Sequence, residues 1–447
     1  MNGDGVTAPA VALRHATAPG AWPLLGHLPH LATGPLAFLD SLPQHGDLVR
    51  VRMGLRDLHV VSDPGLVRRV LTDRRTFDRG GVLYDKVRAV LGNGLATCPN
   101  DEHRWQRRAL QPAFHRALME RYAATMTAET DALTARWRPG AVVDITEETF
   151  RLTTAVAVRT LFSAGITAHA AEELRAALDV LLRGVYTRVV APAVDLVPSP
   201  ARHRYRRALA RWRAGVAAIV AAYRAAGVDH GDALSLLLAA RDGQGRRLSD
   251  DELGDQVATL VLAGAETTSS VVAWALRLLA DHPETEARLH AELDTALGGR
   301  PVTGAELPGL PYTGDVVREV LRLYPPAWAV TRTATRETEL AGRLLPPGST
   351  LMCCLYLVHR RRDLFRDPEL FDPGRWAAGE VSREAYVPFG LGATKCIGDD
   401  FGMTEATLAL ASVTSRWRLT PVSRRPPRPV PRIVLSPGPL PMLLAAR

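Results

Sequence analysis

Phe389-Gly390-Leu391-Gly392-Ala393-Thr394-Lys395-Cys396-Ile397-Gly398 is the stretch from which the rest of the chain is read. Two glycines and a small residue, at 390, 392 and 393, let backbone lie flat against something broad. Glycine brings no side chain and tolerates positive φ. The turn ends on a single cysteine, and Asp399-Asp400-Phe401-Gly402-Met403-Thr404-Glu405 then reads as helix. A cysteine before a helix sits near unpaired N–H groups and the positive end of the dipole, which favours thiolate over thiol. One thiolate cannot build a closed zinc site, which takes four ligands. It can be the single protein ligand of haem iron. The plain alternative is an ordinary turn that holds a buried thiol.

These ten residues resemble the haem-binding loop of the cytochrome P-450 monooxygenases, Phe-Gly-x-Gly-x-Arg/His-x-Cys-x-Gly. The resemblance makes Cys396 the axial ligand of a haem b (iron protoporphyrin IX) and sets Phe389, Gly390 and Gly398 against it. Thr394 departs from the pattern, standing where the family has Arg or His as a propionate contact.

Working outward, a long helix is predicted from Ser249 to Asp281. Ser249 with Glu252 forms a capping box and Leu248 with Leu253 has staple spacing. At 1.5 Å per residue its length is about 45 Å, enough to cross a domain. Apolar residues occupy several faces (Val257, Leu260, Val261, Val271, Val272), so the helix is expected to be buried. In its middle, Ala263-Gly264-Ala265-Glu266-Thr267-Thr268 is a poor choice for a buried helix. Glycine costs ~1 kcal/mol against alanine there, and a buried carboxylate costs more unless paired. Either the helix kinks harmlessly with Glu266 salt-bridged, or a disturbed ladder makes room for a ligand while Glu266 and Thr267 relay protons. The family's central helix carries Ala/Gly-Gly-x-Asp/Glu-Thr, matched by Ala263, Gly264, Glu266 and Thr267. The resemblance implies that Thr267 hydrogen-bonds dioxygen and Glu266 helps deliver protons for O–O cleavage.

Glu319 and Arg322 share one helix face. Val316, Val317, Val320, Leu321 and Leu323 wrap that helix, so the pair is expected to be buried and to need a further partner. The resemblance supplies Arg375, in Phe371-Asp372-Pro373-Gly374-Arg375-Trp376, as the third member of a structural triad. His103 and Arg107, four apart in His103-Arg104-Trp105-Gln106-Arg107-Arg108, are two donors suited to carboxylates or, plainly read, a solvated basic face. By resemblance they and Arg332 bind the haem propionates.

The chain has 447 residues, 47% hydrophobic and 23% charged, ample for large cores despite a length that alone favours two or three domains. The net charge of +8 is almost all arginine, and the arginines are interleaved with acids, which argues against a nucleic-acid surface. Cys98, Cys353, Cys354 and Cys396 form neither a CxxC pair nor a disulfide spacing, as fits a reducing compartment. No apolar run long enough for a transmembrane segment and no signal-peptide layout is read, so a cytoplasmic, monomeric protein is expected.

The expected fold is mainly α with a small β portion: one large domain over residues 18–447, with haem between the long central helix and the cysteine loop. Residues 1–17 are expected to form a mobile tail. Asp47–Ser62 reads as a β-hairpin around Gly54, Pro64–Leu71 as a short helix, and Phe77–Cys98 as a partly ordered loop. His103–Arg247 reads as helical with breaks at the prolines, and Pro421–Met442 as turns and short strands.

Val82, Leu83, Tyr84, Leu91, Leu262, Ala265, Val330 and Leu440 are the expected substrate-pocket residues, nearly all apolar and suited to a hydrocarbon-like ligand held by shape. Phe77 to Lys86 and Leu91 to Leu95 resemble the bacterial terpene oxidases of the pentalenene-oxidising type. That implies hydroxylation of a cyclic sesquiterpene in antibiotic biosynthesis, with a macrolide or other polyketide hydroxylase as the alternative. A non-catalytic haem-thiolate sensor would keep Cys396 but has no need of Glu266 and Thr267. About fifty residues follow Cys396, too few for a reductase domain. Electrons are therefore expected from a separate ferredoxin and NAD(P)H-dependent reductase, docked on Lys395, Arg104, Arg108 and Arg116.

Overall fold

The computed structural model describes residues 13–162, 168–382 and 384–447. At its centre runs the helix Asp250–Asp281, 32 residues long. The expected capping box is formed: the Ser249 hydroxyl accepts from the Glu252 N–H at 3.2 Å, and the Glu252 carboxylate accepts from the Ser249 N–H at 2.8 Å. From Gln256 to Leu279 every residue is buried except Ala263, Gly264 and Thr267. Burying Val257, Val261, Val272 and Leu276 contributes on the order of 1.5–3 kcal/mol each, which outweighs the ~1 kcal/mol propensity cost of Gly264. By length and composition this is the one described helix that could cross a membrane, yet 83% of its most apolar window is packed inside the fold.

The helix is continuous, so the disturbed ladder expected at Gly264 does not occur. The absent side chain instead admits the neighbouring helix Ile145–Leu161: a Cβ at 264 would lie 3.0 Å from the Ala157 Cβ. Thr153 Oγ1 on that neighbour donates to the Ala265 carbonyl at 2.6 Å, fixing the two helices in register.

Further helices surround this pair, among them Arg116–Thr134, Ala168–Val190, Pro200–Ala226, Pro283–Leu297 and Pro311–Leu323. Their ends follow the expected chemistry. Ser199 caps Pro200–Ala226, whose proline at the first position needs no N–H partner, and Gly227 ends it with φ 61°. Asp63 caps Pro64–Thr72 through the Leu66 N–H at 2.8 Å.

The expected hairpin pairs Leu48–Met53 with Arg56–Val61, turning at Gly54 with φ 62°. It forms part of a six-stranded sheet that continues through Thr350–Cys353, Val330–Ala334 and Phe77–Asp78. The other edge strand is His15–Thr17, paired in parallel with Leu48–Arg50, within the stretch read as tail. A second sheet pairs Pro441–Ala446 with both Trp417–Pro421 and Val142–Asp144. The short strand at 142–144 lies just past the break expected at Pro139-Gly140.

Phe77–Cys98 is also more ordered than its sequence implies. Val82–Leu91 is a helix bounded by Gly81 at φ 96° and Gly92 at φ 67°, so the glycines that read as loop are its ends.

Candidate functional site

A cavity of about 320 Å³ lies between the cysteine loop and the exposed stripe of the central helix. Thr259, Ala263, Thr267 and Val271 recur every four residues along one wall, with Leu260, Gly264 and Thr268 beside them. The facing wall is Phe389, Gly390, Cys396, Ile397 and Gly398. Gly390 at φ 72° and Gly392 at φ 66° flatten the turn, which the Cys396 N–H closes by donating to the Phe389 carbonyl at 2.9 Å. No heavy atom stands within 4 Å of a Cβ built on Gly390, whereas one on Gly398 would meet the Phe114 ring at 3.3 Å. The first glycine keeps the slot open and the second lets the loop pack.

Cys396 is open to the cavity. Burial, with Asp399 adding to it, pushes its thiol up, while the Gly398 N–H, Arg107 and Lys395 pull it back without prevailing. The helix start therefore does not by itself make the thiolate expected from sequence. A bound metal cation would, since coordination deprotonates a thiol outright.

One end of the cavity is cationic. Arg79, His103, Arg107 and Arg332 all line it, and no Asp or Glu does. Burial, then Arg79, Arg74, Arg107 and Arg332, push the His103 pKa down to about 3, so its ring is neutral. Burial alone would raise the Tyr84 pKa, yet Arg332 and Arg79 bring it below its ordinary value. A positive field of this kind in a desolvated site calls for an anion.

The three expected donors thus converge, and Arg79 joins them. Its Nη1 donates to the Leu95 and Cys98 carbonyls at 2.8 and 3.1 Å. Sequence reading missed it; between Asp78 and Gly80-Gly81 nothing sets it apart from a surface arginine. Thr394, the departure from the family pattern, accepts from Arg332 Nη2 at 3.2 Å. The short hydroxyl thus orients the arginine.

On the central helix Thr267 faces the cavity, its Oγ1 donating to the Ala263 carbonyl at 2.6 Å. Glu266 is buried on the adjoining face with Oε2 unpartnered, and it forms no salt bridge among the described residues. Burial pushes its pKa up to about 8; Arg432 draws it down and Asp179 raises it. The folded state therefore holds this proton more tightly than the unfolded chain, and stability falls as pH rises from 4.5 to about 8. Glu266→Gln is expected to flatten that limb of the stability–pH curve in denaturant titrations. An unchanged slope would show that Glu266 ionises freely.

Glu319 and Arg322 are fully buried. Arg322 Nη2 and Nε donate to the two Glu319 oxygens at 2.8 and 3.0 Å, and Arg375 Nε reaches Oε1 at 3.0 Å. The remaining Arg322 donors go to the His359, Pro368 and Leu370 carbonyls. His359, neutral because burial pushes its pKa down to about 3, accepts the Val387 N–H at 3.0 Å. The triad is thereby tied to the strand of chain that leads into the cysteine loop.

Of the expected pocket residues, Tyr84 and Val330 line this cavity. Val82 and Leu83 line a second one of about 690 Å³, between the hairpin sheet and the helices Val82–Leu91 and Ala168–Val190. Leu91, Leu262, Ala265 and Leu440 do not belong to the pocket. Leu262 and Ala265 sit on the opposite face of the central helix, packed with Leu91 in one apolar cluster. Leu440 lies in another, and its N–H donates to Asp144 Oδ1 at 3.0 Å. Leu95, Ala96 and Leu260 take their place in the wall.

The donor set fits an iron porphyrin. A flat slot carries one thiol on its face, and its carboxylate-free cationic end matches a ligand edge that bears two carboxylates. Comparison with known proteins agrees with that chemistry. A family model described as Cytochrome P450 matches residues 17–444. "Cyclooctatin synthase" of Streptomyces melanosporofaciens is 46% identical over 437 residues, 96% of this chain and 95% of the relative. "Cyclooctat-9-en-7-ol 5-monooxygenase" of the same organism is 46% identical over the same length and the same shares. "Pentalenene oxygenase" of Streptomyces avermitilis is 44% identical over 418 residues, 93% of each chain.

Proposed function

Because the chain belongs to the cytochrome P450 family, and is thereby a haem-thiolate oxidoreductase, we propose that it is a monooxygenase of an apolar cyclic terpenoid. The observation that carries this reading is that Cys396 and Thr267 both line one mostly apolar cavity to which Arg79, Arg107 and Arg332 add a cluster of cations. Relatives whose names specify pentalenene and cyclooctat-9-en-7-ol support the substrate class. Bound in the slot, haem supplies activation of O2 and insertion of one oxygen atom into a C–H bond.

The chain's residues provide the rest. Cys396 ligates the metal through sulfur, and the flat turn at Gly390 keeps side chains off that face. Arg79, His103, Arg107 and Arg332 hold the carboxylate edge, with Tyr84 and Thr394 orienting Arg332. The Thr267 hydroxyl, which now donates to the Ala263 carbonyl, is free to turn its proton into the cavity at the cost of one helix-internal bond. Glu266, protonated near neutral pH, is the adjacent buried acid from which a proton can be replaced. Leu95, Leu260 and Val330 exclude water and hold the substrate by shape.

Product analysis with pentalenene and cyclooctat-9-en-7-ol tests the reading, comparing NADPH with a surrogate ferredoxin and reductase against hydrogen peroxide alone. Oxygenated product dependent on the electron-transfer proteins is expected. Ligand binding without turnover under either condition would favour a sensor. Thr267→Ala is expected to keep NADPH consumption while product per NADPH falls about a hundredfold, the lower end of the range for losing one positioned proton donor. Unchanged coupling would remove Thr267 from the mechanism.

Electrons are proposed to arrive from a separate ferredoxin. Arg104, Arg108 and Arg116 are exposed on the cysteine side and form no ion pair among the described residues. Lys395, by contrast, is already paired with Asp399. Reversing the three arginines to glutamate should slow reduction by ferredoxin and remove its salt dependence. An unaltered rate would move the docking face elsewhere.

A further inference from the structure

One wall of the cavity, Leu95 and Ala96, comes from a loop between the helices Val82–Leu91 and Asn100–Leu110. A loop makes a dependable wall only where other elements fix it. This one is fixed through its backbone by two neighbouring side chains on the central helix. The Asn93 N–H donates to Asp255 Oδ2 at 2.7 Å, and the Leu95 N–H donates to Gln256 Oε1 at 3.0 Å. Gln256 Nε2 donates to Gln106 Oε1 at 2.8 Å, and Gln106 Nε2 donates to the Asn93 carbonyl at 2.9 Å. The chain of bonds leaves the loop at Leu95, passes through two side chains on two helices, and returns to the loop at Asn93. Gln256 is 1% exposed and Gln106 7%.

The contact is close. A Cβ on Gly94 would lie 2.2 Å from Thr259 Oγ1 and 2.5 Å from the Asp255 carbonyl, so the loop rests directly on the helix that carries Thr267. Inside the loop, Thr97 Oγ1 donates to the Gly92 carbonyl at 2.7 Å. Two buried primary amides are costly unless every polar atom is paired. Apolar side chains of the same length would fill the space as well. What the amides add is direction, because each bond fixes where the loop backbone sits.

We propose that Gln256 and Gln106 are specificity-determining positioning residues that set the height of Leu95 and Ala96 over the cavity. They touch neither substrate nor haem and act through the Leu95 N–H and the Asn93 carbonyl. The shape that an apolar substrate must match is thus specified by a polar clamp one layer behind the wall. This rests on the reading of the cavity as a haem and substrate site.

Two variants test it on the full, haem-loaded chain. Gln256→Met keeps length and approximate volume but unpairs the Leu95 N–H. Gln106→Met keeps the Leu95 N–H bond to Gln256 and breaks the other two, from Gln256 Nε2 and to the Asn93 carbonyl. Three quantities are measured for each: amide hydrogen exchange of residues 92–98, dissociation constants of imidazole and 4-phenylimidazole from the Soret band, and the ferrous carbonyl spectrum.

Gln256→Met is expected to speed exchange of the segment about tenfold and weaken 4-phenylimidazole about fivefold to tenfold, the size of one lost hydrogen bond. Imidazole, too small to reach the wall, should stay within about twofold, and the carbonyl spectrum should match the wild type. Gln106→Met should shift the same quantities in the same direction by less, and it decides the matter alone if Gln256→Met does not fold. Unchanged exchange with an unchanged ratio of the two imidazoles would overturn the proposal. So would an equal loss for both ligands, which marks general loosening. A wild type that takes up no haem would overturn the proposed function instead, and the exchange measurement would still decide whether the clamp exists.

Discussion

Glu319→Ala is expected to lower stability by about 3–5 kcal/mol, the usual result of removing one partner from a buried charge pair. The alanine leaves two guanidinium groups, Arg322 and Arg375, fully or nearly fully buried without a counter-charge. The carbonyls of His359, Pro368 and Leu370 still accept from Arg322, so its hydrogen bonds are partly kept while its charge is not. Glu319→Gln should fall between wild type and alanine. The damage is expected to reach the cysteine loop, because Arg322 holds the carbonyl of His359 and His359 holds the Val387 N–H just before Phe389. Denaturant midpoints with and without added haem measure both effects. A midpoint within about 0.5 kcal/mol of wild type, the range of an ordinary surface substitution, would show that the triad is not structural.

Cys396→Ser is expected to reduce turnover by on the order of a thousandfold or more, the scale of losing an essential group. The oxygen is close in size to the sulfur, so the flat turn and its Phe389 carbonyl bond should survive. A folded protein with an altered or absent haem spectrum is therefore predicted, in contrast to the broad loss of structure in Glu319→Ala. Retained turnover in the serine variant would mean that another residue ligates the metal.

The features legible in the sequence were local ones. The capping box at Ser249 and Glu252, the Glu319–Arg322 pair and the cysteine turn each have their main partners within a few residues. Arg375 and the propionate donors are distant in sequence and came through family resemblance alone. Side-chain direction was harder to read. Leu262 and Ala265 adjoin Ala263 and Gly264 in sequence, yet a helix turns about 100° per residue and carries them into the opposite cluster. Glu266 is subject to the same rotation, which puts it behind the wall on which Thr267 lies.

Glycine misled where it marks ends. Gly81 and Gly92 bound a ten-residue helix and were read as signs of a loop. The strands His15–Thr17 and Val142–Asp144 are three residues each, with partners at 48–50 and 441–443. So short a strand carries no period of its own, and only its distant partner makes it one. Arg79 escaped notice for a similar reason: an arginine between an acid and two glycines has the residue type of a surface position, and only the folded chain buries it.

The most direct test of the account is the absorption spectrum of the reduced wild-type protein under carbon monoxide. Sulfur ligation by Cys396 predicts a Soret band displaced far to the red of that of histidine-ligated haem proteins, and its loss in Cys396→Ser. A folded, haem-loaded protein whose carbonyl band lies where histidine-ligated pigments absorb, or a folded protein that binds no haem, would contradict it.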